Sequence, residues 1–317
     1  MRFKDLCEEL DKTLRLDLGF RGIVDELYLA ARSRVNKPLV QLAVELIASV
    51  EPKRAVIATG FKVTPKFVQE TDGPLGALVL AQTLDVLGFD VLLLIEEDST
   101  GVLNAGLDVL GLSCKVCPLP VNSSLAPFSR RLMEDFGPKV LIFVEKVGAN
   151  DVGVYHTMSG VDVSRYHARV EEIIYEARRV GCKVMSVGDG GNEVGFGLIK
   201  EAVELLVPRA RDCGCPCGRG IAASSMVDVL VVSSISNVGC YAISSALSAF
   251  YGYEWPHNHE VDLKLLKAIV DAGAVDGLTG EGDMKVDGVP AQVLALMVDL
   301  DSYLATKFLG KMGVLKR

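Results

Sequence analysis

Short runs of aliphatic residues recur along this chain, each followed by a stretch with helical spacing, and this alternation constrains the fold more than any other feature. RAVIATG, FDVLLLIEE, CKVCPL, PKVLIFVEK, CKVMSVGDGG and VDVLVVSS have the length and composition of buried strands. Between them lie helical patterns. The clearest is TDGPLGALVLAQTLDVLG, with Thr71 and Asp72 at its start, Pro74 in its first turn and Gly88 at its stop. SRYHARVEEIIYEARRVG, NEVGFGLIKEAVELL and SNVGCYAISSALSAFYG read as further helices. Strands that alternate with helices predict an α/β fold: a three-layer, mostly parallel sheet with helices on both faces. Three helical patterns precede the first strand. The expected organisation is therefore an N-terminal helical extension over residues 1–50, packed on the core of an α/β domain over residues 51–317.

Half of the residues are hydrophobic but only 6% are aromatic, so Val, Leu, Ile and Ala must build the core. The net charge of −8 comes without a polybasic run, which argues against nucleic acid and anionic membranes as partners. A small acidic substrate needs local Lys, Arg or backbone N–H groups to overcome that field. The first twenty residues are interrupted by charges throughout and do not read as a signal peptide. The charge-free stretch from Val229 to Tyr253 is long enough to cross a bilayer, but its SSISNVG middle signals a strand turning into a helix. These features predict a cytoplasmic protein, with homo-oligomers allowed. Its eight cysteines are expected as thiols. Cys114 and Cys117 fall in a strand, the wrong setting for a redox pair. Cys213, Cys215 and Cys217 form a C-x-C-x-C that either holds zinc with a fourth ligand from elsewhere or is only a loop of small residues.

In open parallel sheets, ligands bind beyond the carboxyl ends of the strands where strand order reverses, so the chemistry is sought in those loops. Glu70, Thr71 and Asp72 follow the first strand; Thr71 and Asp72 also read as plain helix caps. Glu145 and Lys146 end the IFV strand as a carboxylate and amine pair, and Asp162 stands further on, in a position that a cap explains equally well. The sharpest loop is GDGGNEVGFG. Gly190 and Gly191 let the backbone approach a ligand, Asn192 adds polar groups, and Asp189 and Glu193 are placed to act as acid, base or metal ligands. It is neither a dinucleotide fingerprint nor a Walker loop. Ser236 and Asn237 offer N–H donors or caps at another strand-to-helix junction, and Asp276 and Thr279 sit in a turn-rich segment.

QETDGPLGA, VEKVGANDVG, MSGVDVS, VGDGGNEVGFG, SISNVGCYAI and VDGLTGEGDMKVDGVP together resemble, in order and spacing, the D-glutamate cyclase-like C-terminal domain family. The resemblance runs from about Lys37 onward. It implies a lyase that closes D-glutamate to 5-oxo-D-proline with loss of water, and it marks Glu70, Asp72, Asp162, Asp189, Asn192, Glu193, Asn237 and Asp276 as site residues. Val238 replaces an aromatic of that family, Lys146 an arginine, and a basic residue near Ser159 is absent, all at positions expected to grip substrate carboxylates, so the expected substrate is D-glutamate or a related small acidic amino acid. Such a cyclisation needs a general base for the amine, an acid to help water leave and a hold on the oxyanion. Asp189 or Glu193 is the expected base, Lys146 the carboxylate grip, and the Gly190–Gly191 N–H groups the oxyanion site. The chemistry requires no cofactor, although Asp189 and Glu193 also suit Mg²⁺ or Mn²⁺. Two other readings stay open: a nucleotide or phosphorylated ligand bound on the glycine loop, and a non-catalytic amino-acid sensor.

Overall fold

The computed structural model describes residues 2–121 and 123–313. Six parallel strands form its central sheet: β1 (Arg54–Gly60), β2 (Asp90–Glu96), β3 (Lys115–Leu119), β4 (Val140–Lys146), β5 (Lys183–Gly188) and β6 (Val229–Val232). Their spatial order is β3-β2-β1-β4-β5-β6, so the direction of winding reverses between β1 and β4. Both of these strands are buried on both faces, which is why they read as unbroken apolar runs. One irregularity interrupts the sheet. Thr59 pairs with Val144 and Gly60 with Lys146, so Glu145 is the extra residue of a bulge.

The helices are α1 (Phe3–Leu14), α2 (Val24–Ser33), α3 (Leu39–Ala48), α4 (Pro74–Val86), α5 (Thr100–Leu110), α6 (Ala126–Arg131), α7 (Glu171–Arg179), α8 (Lys200–Leu206), α9 (Ser236–Tyr251), α10 (His259–Asp271) and α11 (Ala291–Met312). The crossovers place α4 and α5 on one face of the sheet, where α9 joins α4, and α6 and α7 on the other. Beyond α9 and α5 lies a further layer of α1, α10 and α11, while α3 leans on α9 and the edge strand β6. The first fifty residues share the main core. Leu6, Leu10 and Leu14 of α1, Leu27 of α2 and Leu39 and Ile47 of α3 are buried in the same continuous apolar cluster as the sheet.

Two expected helices are shorter than their patterns. The SRYHARV segment makes only a 3₁₀ turn at Ser164–Tyr166, and α7 begins at Glu171. Tertiary contacts claim the residues between: the Ala168 N–H donates to Glu96 and His167 accepts from the Lys62 N–H. Likewise, residues 189–195 are bends and turns around an isolated antiparallel bridge of Glu193 to Val147, with a 3₁₀ turn at Phe196–Ile199 leading into α8. The charge-free stretch resolves into β6 and α9, and no helix among the described residues is long and apolar enough to cross a membrane.

The starts of α4 and α9 meet over the switch point and cap one another. Asp72, just before α4, accepts the N–H groups of Ser236 and Asn237 at the start of α9, each at 2.9 Å. Asn237 returns the bond: its Oδ1 accepts from Gly73 (3.0 Å) and Gly76 (2.7 Å) at the start of α4. The approach requires Gly76, where a Cβ would lie 2.9 Å from the Cα of Asn237. Replacing Asn237 by Ala strands two buried N–H groups and is expected to cost about 2–4 kcal/mol of stability. Urea unfolding monitored by circular dichroism measures it, and a loss below about 0.5 kcal/mol would contradict the exchange of caps.

Candidate active site

A cavity of about 460 Å³ opens at the carboxyl ends of β1, β4, β5 and β6, a size suited to a small ligand. Phe61 follows β1, Glu145 belongs to β4, Asp189 follows β5, and Ser234 and Ile235 follow β6; all four loops line it. Its far side is built by Arg21 from the α1–α2 connection and by Gly277, Leu278, Asp287 and Val289 from the segment before α11. Five carboxylates line the cavity (Glu70, Glu145, Asp189, Glu193 and Asp287), and among the described residues Arg21 is the one lysine or arginine facing them.

The glycine loop wraps around Glu193. The N–H groups of Gly190 and Gly191 donate to its two oxygens at 2.9 and 2.8 Å. Burial and the neighbouring Asp189 nevertheless push Glu193 up to about 7, against the pull of those N–H bonds. Glu145 sits in the bulge with a left-handed φ of +42°, a conformation that a non-glycine residue adopts only when its surroundings enforce it. Its Oε2 accepts a 2.6 Å bond from the Ser236 hydroxyl. Burial, then Glu193 and Asp189, hold Glu145 well above the usual carboxylate range. Glu70 is raised in the same direction by burial and then by Asp287 and Asp72. Asp72, beneath the cavity, is pushed up to about 7 by burial and Asp189 while its helix-start N–H bonds oppose the shift. Arg21 binds Asp189 through an ion pair of 3.2 Å and reaches the Ser234 carbonyl at 2.8 Å.

Several expected site residues lie elsewhere. Lys146 turns away from the cavity and is fully buried, 2.5 and 2.6 Å from the two oxygens of Glu96. The bulge separates it from Glu145, so the pair is not an active-site pair, and Lys146 does not grip a substrate here. The Gly190 and Gly191 N–H groups are engaged by Glu193 and do not form a free oxyanion site. Asp162 is exposed and accepts from the Ser164 N–H, the cap that its setting already allowed. Thr71 is buried against the Lys285 carbonyl. Asp276 binds the N–H groups of Gly288 and Thr279 and shapes its own loop, while Thr279 is exposed. Ser236 and Asn237 stand one layer behind the cavity, and Asn192 lines it with a buried, unpartnered Oδ1. Of the three departures, Ser159 lines the cavity and Val238 is buried outside it.

Arg21, Asp287 and Ser234 were not visible as site residues. Asp287 and Gly288 form the two-residue tip of a hairpin between Lys285–Val286 and Val289–Pro290, both with positive φ. The Asp-Gly pair between valines signals that turn, but not that its tip points into a cavity. Ser234 has a buried hydroxyl without a partner. Nothing local marks Arg21, which lies between two helices.

The same carboxylates are a candidate cation site. One oxygen each from Glu145, Asp189 and Glu193 lie within 4.8 Å of one another, as do oxygens of Asp72, Asp189 and Asp287. An all-oxygen set of this kind suits Mg²⁺ or Mn²⁺.

Residues 10–300 match a family described as D-glutamate cyclase-like, C-terminal. The chain is also 24% identical over 342 aligned positions to human D-glutamate cyclase, mitochondrial, with 92% of this chain and 51% of that protein covered. It thus spans about half the length of the curated relative it matches.

The raised carboxylates set the sign of the pH response. Folded Glu193 and Asp72 hold protons that the unfolded chain releases near 4.5 and 3.8. Their favourable contribution is complete below those values and is lost as pH rises through about 7. Unfolding free energy is therefore expected to fall between about pH 4 and about pH 7 and to level off above. Glu193→Gln should flatten that fall. Equal slopes for the two proteins in urea titrations would show that Glu193 is not proton-loaded in the folded state.

Proposed function

The chain belongs to the D-glutamate cyclase-like family, and from that premise we propose that it is a lyase closing D-glutamate to 5-oxo-D-proline with loss of water. The observation that carries the reading is the cavity itself: five carboxylates around one arginine, with several raised above the usual carboxylate range by burial and mutual repulsion. An acid-lined cavity attracts the substrate ammonium, and Arg21 offers the charge that draws a substrate carboxylate.

The reaction joins the α-nitrogen to the γ-carbon and expels one γ-oxygen as water. The ammonium gives up two protons and the departing oxygen gains two. Glu193, near 7, can take a proton from nitrogen at neutral pH. Glu145 and Glu70, raised well above the usual carboxylate range, can donate to the γ-carboxyl and then to the developing oxyanion, in place of the glycine N–H groups, which Glu193 engages. Attack within one molecule lets the cavity contribute by orientation alone. A divalent cation on Glu145, Asp189 and Glu193 would supply Lewis-acid chemistry to the same step. The alternative of a phosphorylated ligand is less favoured, since the loop N–H groups that would hold phosphate already bind a carboxylate.

Incubation with D- or L-glutamate, followed by proton NMR with EDTA or with added Mg²⁺ or Mn²⁺, tests the reading. The D-isomer is expected to yield 5-oxoproline, and Glu193→Gln to lower turnover at least about 100-fold with the fold intact. Binding without turnover in either direction would identify a sensor and sink the lyase reading. Arg21→Lys keeps the charge but loses the planar fork, and should raise KM more than it lowers kcat. An unchanged KM would remove Arg21 from substrate recognition.

A further inference from the structure

Apart from the cavity carboxylates, the C-x-C-x-C loop meets a fourth metal-ligating side chain. His156, from the loop after β4, brings its Nε2 to 3.3 Å from the Cys215 sulfur and 3.6 Å from that of Cys217. The sulfurs of Cys213 and Cys217 are 3.5 Å apart, and one ligand atom from each of the four residues lies within 4.8 Å of the others. A tetrahedral zinc with bonds of about 2.3 Å to sulfur and about 2.0 Å to nitrogen places sulfurs about 3.8 Å apart and nitrogen about 3.6 Å from sulfur. The four side chains already stand near those separations. We propose that His156, Cys213, Cys215 and Cys217 form a closed structural zinc site.

N–H groups already face the sulfurs. The Cys215 N–H donates to the Cys213 sulfur at 3.2 Å, the Cys217 N–H to the Cys215 sulfur at 3.4 Å, and the Asn150 amide to the Cys217 sulfur at 3.6 Å. Such donors orient ligands and spread their charge. Three sulfurs and one imidazole leave no open coordination position, which marks a structural rather than a hydrolytic zinc. The placement also gives the metal a role. His156 is followed by Thr157, Met158 and Ser159, which line the cavity, and its carbonyl accepts from Asn192 at 2.8 Å. A zinc there ties one cavity wall to the loop before β6, across roughly sixty residues of chain.

The test is metal content, independent of any activity. Full-length protein grown with added zinc and dialysed against metal-free buffer is expected to carry one zinc per chain by mass spectrometry of the elements. The zinc should be lost in the Cys215→Ser, Cys217→Ser double variant and retained in Asp189→Asn, whose carboxylate belongs to the other cluster. Should the double variant fail to fold, cobalt loaded into the unaltered protein should show the sulfur-to-cobalt charge-transfer band and the intense visible bands of a tetrahedral thiolate site. A zinc-free wild-type protein that also takes up no cobalt would overturn the proposal. So would a disulfide within the loop in the native mass, zinc unchanged in a folded double variant, or a cobalt spectrum of octahedral oxygen ligation.

Discussion

The exchange of caps between α4 and α9 is the constraint on which the rest of the site depends. Two helices that start side by side would each leave N–H groups pointing into a buried space, with the positive ends of both dipoles facing it. Asp72 and Asn237 satisfy those groups reciprocally, and the pairing fixes the two chain crossings where the sheet reverses its winding. The same positive ends make burial of negative charge tolerable nearby. Ser236, whose N–H binds Asp72, gives its hydroxyl to Glu145. A structural cap and a cavity carboxylate are thus two bonds of one residue.

The bulge at Glu145 does comparable work in the strand. Without the extra residue, Gly60 would pair with the position after Val144, and the sheet would run on regularly. With it, Glu145 takes a left-handed backbone and enters the cavity, while Lys146 turns to the buried carboxylate of Glu96. Lys146 holds Glu96 well below the ordinary carboxylate range, the opposite of what happens a few residues away in the cavity. Adjacent residues therefore belong to different electrostatic regimes. One carboxylate is ionised and matched; its neighbours are crowded and unmatched. Removing one partner of the Glu96 pair would leave an isolated buried charge, which is why its role is structural.

How much of this was legible depended on how local the determinant was. The strand and helix alternation showed the sheet, and the loops that follow strands located the cavity, because both are written in consecutive residues. Asp189 and Glu193 were legible through the glycines around them. Lys146 was misplaced because a bulge depends on the register between two strands, which a single strand's sequence does not record. Asp162 and Thr279 share the composition of site residues, but Asp162 caps its own turn and bridges His156, and Thr279 makes turn contacts. Arg21 was silent for the opposite reason: its partner Asp189 lies 168 positions along the chain. His156 likewise becomes meaningful only beside cysteines about sixty residues later.

The charge balance of the cavity bears on the order of events in the proposed reaction. One guanidinium cannot neutralise five carboxylates, so the empty site must hold protons or a cation. Either state favours an incoming ammonium, which replaces part of that positive charge and lets Glu193 ionise as a base. On cyclisation the nitrogen becomes a neutral lactam. The attraction that drew the substrate then disappears while the protons have moved to the departing water. Binding strength thus falls at the moment of chemistry, and the product leaves a site built to hold a cation it no longer carries. In the proposed reaction, that difference is what an acid-rich cavity contributes beyond affinity: it favours the ammonium of the reactant on entry and not the lactam nitrogen of the product, whose one charge is a carboxylate.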